Sequence, residues 1–251
     1  MGGRSVLAST VLDRFEHWTR AEIPADGVRR FRIAFASIWL TYDLLDLALH
    51  ATAMTQWIGG RPTGTLTALQ FLIVGSEFGL LCGVQARFFA FLAFALRAVV
   101  AWNFFRLNDF FYFCVTALIL AQFRFDGRKE PAWPRDVLMW QAAWIYFATA
   151  TLKTSSAWLS GGHLFVRHGY LASVGWPYPE WYRAAVSTLS GNAALAWLGL
   201  AGEFALAALL VIRAPRRVVV GLAAALHGFA AFSLNVWFFG ASMIAQLACL
   251  A

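Results

Sequence analysis

Apolar stretches of membrane-spanning length recur along this chain from residue 28 to residue 251, and they restrict its fold more strongly than any other feature. A bilayer has a hydrocarbon core about 30 Å thick, which a helix of about 20 apolar residues crosses. Hydrophobic residues make up 60% of the sequence and charged residues only 13%, so one soluble core cannot take in all of these stretches. Because helices satisfy their own backbone hydrogen bonds in lipid, we expect an all-α polytopic transmembrane helix bundle.

The breaks between the apolar stretches predict seven or eight spans. These are residues 28–51, 66–84, 88–105, 109–123, 137–152, 193–212, 218–236 and, as the eighth, 237–251. Residues 1–27 mix apolar and charged side chains in the manner of an amphipathic helix that lies in the membrane interface. The expected organisation is therefore an interfacial arm, 1–27, and a single transmembrane domain, 28–251.

Lysine and arginine concentrate in the N-terminal arm and in the loops that follow the second, fourth and sixth predicted spans. By the positive-inside rule this places the N-terminus in the cytoplasm and Lys153 on the exterior or periplasmic face of the plasma (inner) membrane. The formal charge of +7 thus indicates membrane topology, with lipid as the expected partner and no nucleic acid.

The stretch 154–192 interrupts the pattern of spans, since it is polar and contains several glycines and prolines. Its tryptophans and tyrosines suit the depth of the lipid headgroups, where an aromatic ring is partly wet. Non-helical backbone at that depth must line a protected cavity. We expect this stretch to be re-entrant or to lie at the interface.

Ionisable residues inside the predicted spans are the first candidates for function, because their burial in lipid is costly. Asp43 and Asp46 lie three residues apart on one helical face, where they can hold a cation, share a proton, or pair with Arg97. Glu203 has no cation within one turn, so it is protonated or its partner comes from another helix, with Lys153 and His227 as candidates. The three cysteines show no paired spacing, and no metal site is indicated.

Lys153 ends the apolar stretch 137–152 and is followed by Trp158, Gly161 and His163. A lysine at a helix end commonly extends to the headgroups. Alternatively, desolvation at an apolar helix end lowers the pKa of lysine from about 10.4 and makes the neutral amine a general base. Position alone leaves both interpretations open.

An apolar aromatic helix that ends in lysine, with tryptophan five residues on and glycine three further, resembles the membrane domain of the vitamin K-dependent gamma-carboxylase. Lys153, Trp158 and Gly161 carry this motif. The likeness extends to residues 31–33 and 103–109, to Glu203, and to His227 with Phe239 twelve residues later. It covers most of the chain and is shared with the bacterial relatives of the carboxylase, the horizontally transferred transmembrane (HTTM) family.

The resemblance implies that Lys153 is the base that deprotonates a reduced quinone, such as vitamin K or menaquinone hydroquinone, with O2 and CO2 as co-reactants. It implies that His227 hydrogen-bonds a quinone oxygen or relays a proton. The remaining candidates for substrate binding or proton relay are Glu203, His163, Trp158, Asp43, Asp46 and Arg97.

The carboxylase also has a large luminal region that captures peptide substrates, whereas this sequence ends at Ala251. We therefore expect a peptide or a companion protein to take the place of that region. The alternative function is a non-catalytic membrane factor for the maturation or export of secreted peptides, or for lipid binding. An ion-coupled transporter that uses Asp43, Asp46 and Glu203 is a third hypothesis, although the internal repeats of transporters are missing. Catalysis predicts a cavity beside Lys153, and a membrane factor predicts a filled bundle with Lys153 paired or extended.

Overall fold

The computed structural model describes residues 6–50, 64–104, 108–234 and 238–251. This part of the chain is almost entirely helical, which confirms the predicted all-α class. It divides into two compact units, which we describe separately: unit 1 covers residues 1–138 with Leu250, and unit 2 covers residues 139–249 with Ala251.

Unit 1 contains the N-terminal arm and the first long helices. Its elements are α1 (Val6–Arg20), β1 (Glu22–Pro24), α2 (Ala25–His50), α3 (Gly64–Cys82), α4 (Ala86–Phe104), α5 (Asn108–Leu120), β2 (Lys129–Pro131) and the start of α6 (Ala132–Leu152). The apolar core includes Phe35 and Trp39 of α2, whose rings lie 5.1 and 4.8 Å from that of Phe113 on α5. α2 begins at Ala25, three residues before the predicted start of the transmembrane domain at residue 28.

A two-stranded antiparallel pairing joins β1, which precedes α2, to β2, which precedes α6, and the sequence did not indicate it. Ile23 pairs with Glu130, whose buried carboxylate accepts the backbone N–H groups of Arg124 at 2.7 Å and Phe125 at 2.8 Å. Strands of three residues are too short for a recognisable alternation of apolar and polar side chains. The pairing ties the loop before α6 to the start of α2.

Unit 2 takes up α6 from Met139 and adds three short helices before two long ones. Its further elements are α7 (Ser156–Leu159), α8 (Gly162–Ser173), α9 (Glu180–Val186), α10 (Leu189–Val211), α11 (Arg216–Leu234) and α12 (Phe238–Leu250). The span predicted from residue 193 begins at Leu189, because Thr188 caps the helix by accepting the N–H of Gly191 at 3.1 Å. The stretch 154–192 is therefore mostly helical.

Two helices in the described part of the chain, α10 and α11, are long and apolar enough to cross a membrane. Only 22% and 17% of their apolar windows are buried inside the protein, whereas the core helix of a soluble protein is mostly buried. These two helices indicate membrane association. The described helices α5 and α12 have 13 residues each and, at about 1.5 Å per residue, are shorter than the hydrocarbon core.

Candidate functional site

Lys153 and Glu203 form an ion pair within unit 2. Lys153 follows the last turn of α6, and its Nζ contacts Oε1 of Glu203 in the middle of α10. The side chains are 25% and 11% exposed, so each charge is largely withdrawn from solvent. The pair neutralises two groups that would be costly to bury singly. Lys153 is thus the partner of Glu203, one of the two candidates that the sequence indicated.

The second carboxylate oxygen of Glu203, Oε2, is buried and has no hydrogen-bond partner. Thr149 lies beside Glu203, but its hydroxyl donates to the carbonyl of Ile145 at 2.8 Å. A hydroxyl has one proton to donate. Oε2 therefore keeps an unused acceptor next to Lys153.

Trp158 places its ring against the ammonium group of Lys153, with Nζ 5.2 Å from the ring centroid. A cation over an indole face is attracted by the ring electrons. Trp158 lies on α7, a single turn that Ser155 caps by accepting the backbone N–H of Trp158 at 3.4 Å. The indole Nε1 is buried and has no hydrogen-bond partner.

Gly161 fixes the turn between α7 and α8 against the start of α10. Its φ of +80° lies in the left-handed region that favours glycine. A Cβ at this position would lie 2.4 Å from the backbone nitrogen of Ala193 and 2.8 Å from the carbonyl oxygen of Leu189. Only glycine allows this approach, which sets the position of Trp158 relative to α10.

His227 lies on α11 and is hydrogen-bonded within unit 2. Its Nε2 is 2.8 Å from the hydroxyl of Tyr146, and its ring packs edge-on against Phe239 at 6.0 Å. A Cβ on Gly240 would lie 2.9 Å from the His227 Cβ, so α12 approaches closely at this glycine. The histidine is held in one orientation by both neighbours.

A cavity of about 310 Å³ in unit 2 brings these groups together. Lys153, Trp158, Glu203 and His227 all contribute to its wall. Most of the remaining wall is apolar and includes Leu164, Leu195, Leu198, Leu226, Phe229 and Leu234. An apolar chamber with a few polar groups at its wall is the usual form of a small-molecule site. A cavity beside Lys153 is what the catalytic hypothesis predicts. A paired Lys153 is what the membrane-factor hypothesis predicts.

Of the four remaining candidates, three lie outside this cavity and the fourth, Asp46, cannot be placed. His163 is exposed, and its ring is 6.1 Å from that of Trp158, but it is not part of the cavity wall. Asp43 and Arg97 belong to unit 1. The side chain of Asp46 lies outside the described residues.

Arg97 is the centre of a buried charged cluster in unit 1. Its guanidinium forms an ion pair with Asp43, one of the alternatives that the sequence left open, and a second one with Glu77 at 2.9 Å. Gln70 donates to the other Asp43 oxygen at 3.2 Å. The Arg97 guanidinium also lies 4.7 Å from the centroid of the Phe113 ring. All three charged side chains are at most 2% exposed, so each depends on the others for its solvation.

The sequence analysis missed a second polar cluster of unit 2, centred on His168 of α8. His168 Nδ1 lies 2.6 Å from Oδ1 of Asn192, and its Nε2 lies 3.1 Å from the Tyr182 hydroxyl. Burial lowers the pKa of His168, and the hydrogen bond with Asn192 opposes that shift. Asn192 belongs to the polar run that precedes the apolar part of α10. This run was the one signal in the sequence that could have indicated the cluster.

Three side chains from the stretch between residues 167 and 178 bind the end of α11. Trp176 Nε1 donates to the carbonyl of Phe232 at 2.9 Å, Tyr178 to that of Ser233 at 2.5 Å, and Arg167 to that of Leu234 at 2.9 Å. The last carbonyls of a helix have no partner within the helix. We call these three contacts the α11 latch.

In the described residues no group of three or more histidine, cysteine or acidic side chains is placed to hold a metal ion. No family model matches the chain, and no curated protein or solved structure matches it. The geometry of the cavity and the sequence motif around Lys153 are therefore the features that bear on function.

Proposed function

We propose that the protein is a membrane enzyme that resembles the membrane domain of the vitamin K-dependent gamma-carboxylase and belongs to the HTTM group. Its substrate is a lipophilic quinol, which binds in the cavity of unit 2 and loses a proton to Lys153. The observation that carries this proposal is the Lys153–Glu203 pair on the wall of an apolar cavity.

The proposed topology is a multi-pass protein of the plasma membrane with seven or eight spans. The N-terminus is cytoplasmic, and Lys153 lies towards the exterior or periplasmic face. The distribution of lysine and arginine among the loops supports this orientation. The length and apolar surface of α10 and α11 support two of the spans.

The residues of the cavity fit the headgroup of a reduced quinone. Its volume of about 310 Å³ lies at the lower end of the range for small-molecule sites, roughly 300–1,000 Å³. The leucine-rich wall suits an aromatic ring. The buried atoms Trp158 Nε1 and Glu203 Oε2 have no hydrogen-bond partner in the protein, and the polar groups of such a ligand would supply those partners. The bound quinol supplies electrons for the reaction, with O2 and CO2 as its co-reactants by resemblance.

Proton transfer at this site involves both members of the ion pair. Lys153 takes a proton from the ligand hydroxyl while one of its own protons passes to the carboxylate of Glu203. The pair therefore gains one proton in total. His227, held by Tyr146 at 2.8 Å, orients the ligand or relays the proton. A positioned base of this kind contributes about 100- to 10,000-fold to a rate.

The test compares the purified wild-type protein with Lys153→Ala and Lys153→Arg in detergent. Co-purified quinone is measured by mass spectrometry, and epoxide formation is measured from reduced menaquinone under oxygen. We expect both variants to lose turnover about 100-fold or more, because a guanidinium does not give up its proton. The matched control is Lys129→Ala, whose side chain is 72% exposed and pairs with Glu22 in unit 1. If the wild-type protein contained no bound quinone and formed no epoxide, the enzymatic proposal would be refuted.

The second candidate function is a non-catalytic membrane factor that acts with a secreted peptide, a lipid or a companion protein. The observation that favours it is that Lys153 is already paired with Glu203 and His227 already bonded to Tyr146. In that case Lys153→Ala and Glu203→Gln change only the stability of unit 2. A double variant that removes both charges would then recover part of the lost stability, because no buried charge is left unpaired.

A further inference from the structure

The indole N–H of Trp158 is a buried donor that the protein leaves unused. Its Nε1 has no hydrogen-bond partner, although Trp158 contributes to the cavity wall. Buried tryptophans usually find an acceptor for this group. Trp18 donates to Asp136 at 3.0 Å, and Trp176 donates to the carbonyl of Phe232 at 2.9 Å. Trp39 Nε1 in unit 1 is also buried without a partner, so what distinguishes Trp158 is that it contributes to the cavity wall.

The position of this donor is fixed before any ligand arrives. Ser155 caps the single turn that carries Trp158, and Gly161 anchors the following turn to the backbone of Leu189 and Ala193. The contact of the indole ring with the Lys153 ammonium, at 5.2 Å, restricts the ring further. The backbone that carries the donor is thus fixed before a ligand binds, while the nitrogen itself is covered by protein atoms.

The neighbourhood of Trp158 defines the chemistry of its partner. Lys153 and the unpartnered Oε2 of Glu203 lie on the same cavity wall. The residues of the wall thus include one N–H donor and one carboxylate oxygen that have no partner, beside a cation. An aromatic hydroxyl or carbonyl oxygen meets the donor, and a hydroxyl proton meets the acceptor.

We propose that Trp158 Nε1–H donates a hydrogen bond to the ligand oxygen that faces Lys153 and thereby positions that oxygen. Trp158 is in this role a binding residue for a quinol-type or quinone-type oxygen. The inference rests on the proposed function for the chemical class of the ligand, and on the buried, unpartnered indole nitrogen for the contact itself.

The test uses Trp158→Phe, which keeps an aromatic ring beside Lys153 and removes the N–H group together with part of the indole. The probe is menadione, a naphthoquinone without an isoprenoid tail, added to detergent-purified protein with 15N-labelled tryptophan. The NMR resonance of the Trp158 indole N–H is assigned as the one that is present in the wild-type spectrum and missing from that of Trp158→Phe. We expect this resonance to shift when menadione binds, and we expect Trp158→Phe to weaken binding about 3- to 10-fold.

Two tryptophans provide matched controls. Trp181 is 69% exposed, so Trp181→Phe should bind menadione like the wild type. The indole of Trp176 already donates to Phe232, and its resonance should not follow the titration.

The outcomes separate this inference from the proposed function. A shifted Trp158 resonance and weakened binding support the inference, even where the wild type shows no turnover and the enzymatic proposal fails. If Trp158→Phe binds menadione with the same affinity as the wild type and has the same KM, the inference is overturned. The proposed function still stands in that case if the wild type is active. A wild-type protein that does not bind menadione overturns the inference as well.

Discussion

His168 has both ring nitrogens engaged by neighbouring side chains. The Asn192 amide nitrogen donates to the carbonyls of Val186 and Thr188, each at 2.7 Å, so its Oδ1 must accept. The proton therefore lies on His168 Nδ1, and Nε2 accepts from the Tyr182 hydroxyl. Burial lowers the pKa of His168, and the charge of Arg167 acts in the same direction. The folded protein thus selects the neutral imidazole.

This selection predicts a dependence of stability on pH. A histidine whose pKa is lowered by folding stabilises the folded state above its ordinary pKa of about 6.5. Below that value the unfolded chain binds a proton that the folded chain resists, so the free energy of unfolding falls as the pH falls. We expect His168→Gln to reduce this loss, measured as the change in thermal unfolding temperature in detergent between pH 7.5 and pH 5.5. An equal loss in wild type and variant would show that His168 does not contribute to it.

At the scale of elements, the turn between α7 and α8 depends on contact with α10. Gly161 and Gly175 have nearly the same φ, +80° and +79°. They differ in their surroundings, because a Cβ on Gly161 would lie 2.4 Å from Ala193 whereas nothing lies within 4 Å of one on Gly175. A comparison of alanine substitutions at the two positions therefore distinguishes the cost of backbone strain from the cost of lost close packing.

We expect Gly175→Ala to cost about 1–2 kcal/mol, the strain of a left-handed residue. Gly161→Ala carries the same strain and must also displace α7 and α8 from α10, so its cost should be higher, about 3–5 kcal/mol in total. Chemical unfolding in detergent measures both values. If the two substitutions cost the same, the contact of Gly161 with Ala193 does not stabilise the protein.

At the scale of the whole molecule, each of the two compact units has a buried ionic centre of its own. Unit 1 holds Arg97 with Asp43 and Glu77, and unit 2 holds Lys153 with Glu203. Breaking a buried pair leaves a charge without compensation, which costs about 3–5 kcal/mol. Exposed pairs contribute about 0–1 kcal/mol.

The comparison of buried and exposed arginines in unit 1 tests this difference. We expect Arg97→Met to destabilise the protein by about 3–5 kcal/mol, because Asp43 and Glu77 lose their common cation. Arg124→Met is the control, since Arg124 is 58% exposed and contacts Glu22 at 3.7 Å. Its expected cost is below about 1 kcal/mol. Similar losses of free energy of unfolding in the two variants would contradict the proposed importance of burial.

Sequence reasoning identified the helical class and some of the ionic partners, because charged residues within long apolar stretches must find one another. Asp43 with Arg97 and Lys153 with Glu203 are such cases. It missed the helical character of the stretch 154–192, where Gly161 and Pro179 flank short helices in place of irregular backbone. It also missed the His168 cluster. Asn192 and Tyr182 are ten residues apart in sequence and meet only through folding, so the polar run that contains Asn192 does not identify its partners.

The α11 latch has a consequence for how the cavity can open. Leu171, Tyr178, Tyr182 and Val186 form one apolar cluster, so the residues that bear the latch are joined to α8 and α9 as a single piece. Leu164 and His168 of that piece form part of the cavity wall. A movement of this side of the cavity wall away from α11 therefore has to break all three hydrogen bonds of the latch.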